Sequence, residues 1–278
     1  MAEYPSRIVC LTEETTETLY LLGEGDRVAG VSGYTVRPPE ARKKPKVSAF
    51  INARFDKIDA LKPDLILAFS DLQADIAREL IRRGYPVYTF NQRSVDGILQ
   101  MIRIVGALVG RAEGGASLAA QMEQGLDEIA GRPWREALAA SPGAEAPKAR
   151  RRPRVYFEEW DDPLISGIRW VEELVEIAGG DPIFPELRDK ALGKDRIVDP
   201  AAVIARNPDV IVASWCGKAV KKRTIVERPG WDRVNAVRDD RIHEIKSTYI
   251  LQPGPASLTD GVRQLHAILS ACDASSSR

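Results

Sequence analysis

Short apolar runs alternate with amphipathic segments through the first third of the chain. The runs span residues 7–11, 28–31, 65–69 and 87–90, and segments with helical spacing of apolar residues lie between most of them. Apolar runs of this length, bounded by turn residues, are typical of strands buried in a parallel sheet. The pattern therefore predicts an α/β unit in which helices cover a mostly parallel sheet.

The middle of the chain changes to a helical pattern without a strand signal. From residue 94 to residue 140 apolar residues recur at helical spacing, with a break predicted at Gly114 and Gly115. Two long helices in succession are unusual where strands and helices otherwise alternate. We therefore expect this stretch to connect two units, with residues 112–130 as the connecting helix.

The alternation of predicted strands and helices resumes at residue 154. An internal similarity relates this part of the chain to the first third. Residues 58–68 and 203–213 both predict a short helix, a Pro-Asp turn and an apolar strand, and residues 22–26 weakly resemble 178–181. A Pro-Asp turn before a buried strand is also common in unrelated proteins. We nevertheless expect two related lobes. The predicted divisions are an amino-terminal α/β lobe (1–110), a bridging helix (111–140), an exposed loop (141–153) and a carboxyl-terminal α/β lobe (154–278).

Composition narrows the functional classes. Lys and Arg total 40, as do Asp and Glu, so the net charge of zero disfavours a general nucleic-acid binder. Three scattered cysteines and two histidines show no disulfide or zinc-ligand spacing, so we expect no metal site and no catalytic cofactor. Residues 141–153, which end in three arginines and a proline, are expected to form a solvated loop, with a membrane or nucleic-acid patch as the alternative.

The amino terminus bears on localisation. The first seven residues lack a basic stretch followed by an apolar one, and no apolar run approaches the length that spans a bilayer. We therefore expect a cytoplasmic protein, or a periplasmic one if a leader was removed. We also expect a monomer.

Residues that directly follow the predicted strands are the candidate ligand contacts. Open α/β sheets bind ligands at the carboxyl ends of their strands, and aromatic side chains offer a large ligand a rigid face. Phe50 and Phe69 are equally interpretable as core residues, and the acidic residues around Trp160 as a solvated loop or a hard-cation site. The candidate ligand-binding residues are Glu14, Tyr34, Phe50, Phe69, Glu159, Trp160, Trp215 and Tyr249.

The amino-terminal region resembles a known family. Residues 7–11, 28–34, 46–48 and 56–66 are similar, in the same order, to the periplasmic cobalamin-binding proteins, which belong with the haem- and iron-siderophore-binding proteins of ABC importers. The similarity is strong over about residues 7–110 and thinner beyond residue 150. One departure is Thr12-Glu13, where the family usually has Ser-Pro.

That resemblance implies a fold and several residue roles. The implied fold is α/β, with two Rossmann-like lobes of mostly parallel sheets joined by one long helix, the class III, chelatase-like periplasmic-binding-protein fold. The resemblance also implies that Tyr34 and Phe50 contact the ligand, with Phe50 in the place of a tryptophan, and that Asp56 docks on a permease.

The expected function is therefore reversible binding of a corrinoid such as cobalamin in a cleft between the lobes, for an ABC importer or in a cytoplasmic carrier or sensor. A haem or ferric siderophore is the alternative ligand. A chelatase-like enzyme is a further alternative, which the lack of a glycine-rich phosphate loop and of a nucleophile elbow disfavours. His243 and His266 fall inside a predicted strand and a predicted helix, and we expect both to be structural.

Overall fold

The computed structural model describes residues 4–139 and 151–275. Residues 141–150 of the predicted exposed loop lie outside that range. The described chain divides into two compact units. The first contains residues 4–92, 96–122 and 253–255, and the second contains residues 93–95, 123–139, 151–252 and 256–275.

The first sheet has six strands in the order β4-β3-β2-β1-β5-β6. All neighbouring strands are parallel except β3 and β4, which form an antiparallel hairpin. The sequence does not predict β3 and β4, because the hairpin strands are short and partly polar. In chain order the elements up to the end of α5 are β1 (Ile8–Cys10), α1 (Glu13–Leu21), β2 (Val28–Ser32), β3 (Lys46–Ala49), β4 (Asn52–Ala53), α2 (Phe55–Leu61), β5 (Leu65–Phe69), α3 (Ala74–Arg82), β6 (Val87–Phe90), α4 (Val95–Leu108) and α5 (Ala112–Ala130).

The second sheet has four parallel strands in the order β9-β7-β10-β11, and β8 pairs antiparallel with the end of β7. Pairing with β8 extends β7 to Asp161, four residues beyond the predicted end of that strand. The remaining elements are α6 (Trp134–Ala139), β7 (Arg154–Asp161), β8 (Leu164–Ser166), α7 (Arg169–Ile177), β9 (Asp181–Pro182), α8 (Pro200–Arg206), β10 (Val210–Ala213), α9 (Lys222–Val226), α10 (Asn235–Arg238), β11 (Ile242–Glu244), α11 (Ser247–Ile250) and α12 (Val262–Ser275).

The predicted internal similarity is confirmed in the local structure. In each unit a short helix ends in a left-handed residue, Lys62 or Asn207, and a Pro-Asp turn leads into a buried strand. The aspartate of each turn also accepts backbone hydrogen bonds at the start of the neighbouring strand. Asp64 accepts from the amide of Arg7 at 2.8 Å, and Asp209 accepts from the amide of Arg154 at 2.9 Å. The same construction therefore joins β5 to β1 and β10 to β7.

The predicted helix break at Gly114 and Gly115 is wrong. Both glycines lie inside α5, and the chain turns instead at Gly110, whose φ is +75°. A side chain at Gly106 of α4 would lie 2.8 Å from the Cα of Gly115. The glycines therefore allow two helices to pack closely, which a sequence reading mistakes for a break. Helix α5 has the predicted bounds, while its role as a bridge stays a prediction.

No helix in the described ranges is both long and apolar enough to cross a membrane. Each unit instead has its own apolar core around its sheet, centred on residues such as Val9, Ile58 and Ile66 in the first and Tyr156, Ile211 and Trp231 in the second.

Candidate ligand-binding site

Four large apolar side chains are exposed where strands of the first sheet end, and we call them the apolar edge. Tyr34 follows β2, Phe50 and Ile51 form the turn between β3 and β4, and Leu72 follows β5. Strands β2 and β3 are neighbours, and the amide of Gly33 donates to the carbonyl of Ser48 at 2.7 Å, which places the first two loops side by side. The exposed fractions are 55% for Tyr34, 37% for Phe50, 59% for Ile51 and 44% for Leu72.

Phe50 is held in an unusual backbone conformation. Its φ is +48°, in the left-handed region that glycine adopts easily and bulky residues avoid. Such strain persists only where the surrounding structure enforces it, and it concentrates at ligand-contacting positions. The exposure and the strain of Phe50 together favour its interpretation as a ligand contact over that as a core residue.

Phe69 and Glu14, which the sequence also places at this edge, are buried. The ring of Phe69 lies within β5, so the core interpretation is the one that the structure supports. Glu14 is the second residue of α1, accepts a hydrogen bond from the Thr12 hydroxyl at 2.6 Å and packs against Gly254. Burial, reinforced by the neighbouring carboxylate of Glu13, raises the pKa of Glu14 to about 8. At neutral pH the buried carboxyl group of Glu14 is therefore mostly protonated.

The edge of the second sheet carries Trp160 next to a lysine. Trp160 lies in the part of β7 that pairs with β8, is partly buried, and donates its indole N–H to the carbonyl of Asp162 at 2.9 Å. The ammonium of Lys218 lies 4.1 Å from the centre of the Trp160 ring and 2.5 Å from a carboxylate oxygen of Asp161. A cation over an indole face is attractive, so Lys218 orders this ring.

The prediction that Trp215 offers an exposed face is wrong. Its side chain is 3% exposed and packs in the core of the second unit. The indole N–H donates at 3.1 Å to Glu158, which is itself buried and paired with Arg228 through two bonds of 2.5 and 2.9 Å. A buried carboxylate needs such partners, and Trp215 supplies one of them.

Acidic residues next to Trp160 form ion pairs. Neither the predicted solvated loop nor the predicted hard-cation site includes such pairs. Glu159 binds the buried guanidinium of Arg196 through two bonds, and Asp161 binds Lys218. The described residues contain no group of three or more Cys, His, Asp or Glu placed to hold a metal ion. Glu159 and Asp161 are thus paired with neighbouring cations, while Asp162 is exposed.

The remaining predicted residues lie where the sequence places them. Tyr249 is partly buried in α11, after β11, and Asp56 is exposed in the first turn of α2. His243 lies in β11 and His266 in α12, as predicted. Arg152, predicted to be solvated, instead donates to the carbonyls of Glu176 and Gly180.

Sequence reasoning missed Ile51, Leu72 and Lys218. Ile51 and Leu72 are apolar residues in loops, a signal that a search for aromatic residues passes over. Lys218 lies 58 positions from Trp160 in the chain, and the pairing of β7 with β10 brings it there. That contact has no local sequence signal.

A parallel sheet that exposes aromatic and apolar side chains at its carboxyl edge is typical of proteins that bind a small molecule. The family comparison agrees with that class. The model of the periplasmic binding protein family matches residues 8–249, so the chain belongs to this family.

Curated relatives and solved structures support the same assignment. YvrC of Bacillus subtilis, an uncharacterized ABC transporter substrate-binding lipoprotein, is 28% identical over 94% of this chain and 79% of its own length. A cobalamin-binding protein of Halobacterium salinarum is 23% identical over 95% of this chain and 69% of its own.

Two solved structures share the fold. The vitamin B12-binding protein BtuF of Vibrio cholerae has a TM-score of 0.73 and 23% identity, over 98% of this chain and 99% of its own. The haem-binding protein RhuT of Roseiflexus sp. RS-1 has a TM-score of 0.76 and 24% identity, over 95% and 99%. The predicted α/β fold with mostly parallel sheets is therefore confirmed.

Proposed function

We propose that this protein reversibly binds a corrinoid of the cobalamin type, without changing it chemically, as the solute-binding component of an ABC importer. In this proposal Tyr34 and Phe50 of the apolar edge contact the macrocycle, and Trp160 is a further candidate contact. Trp215, Phe69 and Glu14 are left out because they are buried.

The apolar edge is the observation that carries the proposal. Exposed apolar side chains grouped at strand ends cost free energy in water, and a monomeric protein rarely keeps them without a use. A flat, largely apolar macrocycle would cover these side chains and contact the aromatic rings of Tyr34 and Phe50. Relatives named for binding vitamin B12 or cobalamin support the corrinoid over other flat ligands.

Haem is the second candidate, and Lys218 is the observation that favours it. Its ammonium is partly exposed beside the Trp160 face, where it would attract an anionic ligand such as a haem propionate. Similar structures include proteins named for haem binding. A ferric siderophore with carboxylate groups would use the same lysine.

A permease is the proposed protein partner, with Asp56 as a docking residue. Asp56 is exposed in the first turn of α2, so its carboxylate is available to a basic surface. Relatives described as periplasmic or as a lipoprotein suggest that docking takes place outside the cytoplasm. Fractionation of cells that express the full-length gene would test this, and protein found only in the cytoplasm would favour the carrier or sensor alternative.

Absorbance titration tests the ligand assignment. We expect cyanocobalamin and cobinamide to bind, and each to raise the melting temperature of the protein, with the larger rise for the tighter ligand at equal concentration. Haemin and ferric citrate serve as the competing ligands. Tight binding of haemin together with no binding of either corrinoid would replace the first candidate with the second, and no binding of any of the four would end the proposal.

The contact assignment is tested in the same titration. Trp160→Ala should weaken the preferred ligand by about tenfold, since the loss of one aromatic contact is worth about 1 kcal/mol beyond the buried area. Tyr4→Ala is the matched control, because Tyr4 is exposed and packs against Gly110, away from the strand ends that form the proposed site. Equal affinities for the Trp160 variant and the control would remove Trp160 from the site.

A further inference from the structure

Two strained loops meet at the apolar edge of the first unit. Phe50 is the first residue of the two-residue turn between β3 and β4, where Ala49 pairs with Asn52. A tight hairpin with a positive φ at this position favours glycine, and Phe50 has a φ of +48°. Ser70, at the end of β5, has a φ of 63° and a ψ of 172°, a combination that is nearly restricted to glycine.

One buried side chain connects these loops. The side-chain amide nitrogen of Gln73 donates to the carbonyl of Phe50 at 2.6 Å, and the side-chain amide oxygen accepts from the backbone N–H of Phe69 at 2.9 Å. The backbone carbonyl can only accept and the backbone N–H can only donate, so this pattern fixes the orientation of the amide. Gln73 has no exposed surface, so its side chain makes both bonds away from bulk water.

The segment around Gln73 is itself firmly held. The backbone N–H of Gln73 donates to the carbonyl of Ser70, and the backbone N–H of Leu72 donates to the Ser70 hydroxyl. The backbone N–H of Ser70 donates to the carbonyl of Phe90 at 2.6 Å. These bonds tie the loop to β6. The side-chain amide of Gln73 therefore connects the Phe50 turn to a rigid part of the sheet.

We propose that Gln73 is a positioning residue for ligand binding: its amide holds the Phe50 turn in the strained conformation that presents Phe50 and Ile51, and it sets the affinity without touching the ligand. This inference rests on the proposed function, and it names the group that keeps the binding face preformed. A face that is already ordered loses less conformational freedom when the ligand binds.

A double-mutant cycle tests whether Gln73 acts through Phe50. We expect Gln73→Met, which keeps the volume and removes both bonds, to weaken the ligand by about tenfold, because the turn then leaves its strained conformation. In a Phe50→Ala background the same change should cost less than about twofold. The probes are cyanocobalamin and haemin, titrated separately. An equal loss in both backgrounds would overturn the inference.

Two further variants separate positioning from general stability. Gln73→Glu should bind almost as well as the native protein at pH 5, where a protonated carboxyl both donates and accepts as the amide does, and worse at pH 9. Gln73→Met should show no such recovery. Ile58→Val, a core change in the same unit, controls for lost stability and should leave the affinity unchanged. An affinity loss in that variant as large as in Gln73→Met would also overturn the inference.

Hydrogen exchange provides a readout that needs no ligand. The amide of Arg54 closes the hairpin by donating to the carbonyl of Val47 at 2.8 Å. It should exchange about tenfold faster in Gln73→Met than in the native protein, and at the native rate in Ile58→Val. Unchanged exchange would overturn the role of Gln73 whether or not a ligand is found. Faster exchange in a protein that binds neither probe would refute the proposed ligands alone.

Discussion

The carboxyl edges of the two sheets share a strand order and differ in their chemistry. In the first unit, strands β2, β3 and β5 end in loops that expose Tyr34, Phe50, Ile51 and Leu72. In the second, the end of β7 carries carboxylates that guanidinium and ammonium groups neutralise. A repeated framework thus supports an exposed apolar face in one unit and an internally paired charged network in the other.

The difference shows that position at a strand end does not by itself make a residue a ligand contact. Trp215 and Phe50 both follow a strand, yet the first completes a buried ion pair and the second faces solvent. The buried carboxylate of Glu158 decides this, because it needs a donor and takes the Trp215 indole. The following predictions test the contrast.

The largest effect should come from Trp215→Ala. We expect it to lower the free energy of unfolding by about 4 kcal/mol, because it leaves a large cavity and removes a donor from Glu158. Trp160→Ala, on the partly buried ring, should cost about 1 kcal/mol. Urea denaturation measures both. Similar losses for the two variants would contradict the structural assignment of Trp215.

Removal of Arg228 from its buried ion pair with Glu158 should lower the free energy of unfolding slightly less than Trp215→Ala does. Arg228→Met leaves the Glu158 carboxylate buried without its main partner and should lower stability by about 3 kcal/mol. Arg223→Met is the matched control, because its pair with Glu227 is largely exposed and should contribute little. Adding Glu158→Gln to Arg228→Met should recover part of the loss. A fully additive double variant would show that the two groups do not interact.

Glu14 should make the stability of the first unit depend on pH. Its folded-state pKa is raised to about 8, above the ordinary value of 4.5, so the folded protein holds a proton that the unfolded chain releases. Stability from this group is therefore full below pH 4.5 and falls as the pH rises towards 8.

The glutamine variant checks that sign. Glu14→Gln mimics the protonated form and should be clearly more stable than the native protein at pH 8, with little difference at pH 4.5. Thermal melts across this range measure the effect. Glu158→Gln is the contrasting change, since it breaks an ion pair and should lower stability at pH 8. A Glu14 variant that is less stable than the native protein at pH 8 would contradict the raised pKa.

The smallest predicted difference concerns the repeated Pro-Asp turns. Asp64 accepts from the amides of Ser6 and Arg7 and from the Ser6 hydroxyl, whereas Asp209 accepts from the amide of Arg154 and the side chain of Arg151. Asp64→Ala should therefore cost about 1.5 kcal/mol and Asp209→Ala about 1 kcal/mol. Urea denaturation of the two variants tests this order, and no loss in either would mean that the shared turns contribute nothing to stability.

The sequence predicts the parts of the fold that depend on local patterns. The strands β5 and β6 have the predicted bounds, because each is a short run of mostly apolar residues. The two Pro-Asp turns are recognisable because proline and aspartate act within a few residues. Strands β3 and β8 escape prediction, since each is short and depends on pairing with a neighbour.

The candidate site is predictable only in part, for the same reason. Tyr34 is found because it follows a predicted strand, and Phe50 because it precedes the helix before the first Pro-Asp turn and matches an aromatic position of the family. The burial of Trp215 depends on Arg228 and Glu158, which meet only when β7 and β10 pair. Gln73 reaches Phe50 across 23 positions, so no local pattern identifies it.

The central claim is that the apolar edge of the first unit binds the ligand. Isothermal titration with cyanocobalamin, or with haemin if only haemin binds, compares the native protein with the double variant Tyr34→Ala and Phe50→Ala and with the control Tyr4→Ala. The account predicts that the double variant loses at least about tenfold in affinity, while the control keeps the native value. Native affinity in the double variant, at unchanged stability, would contradict the claim.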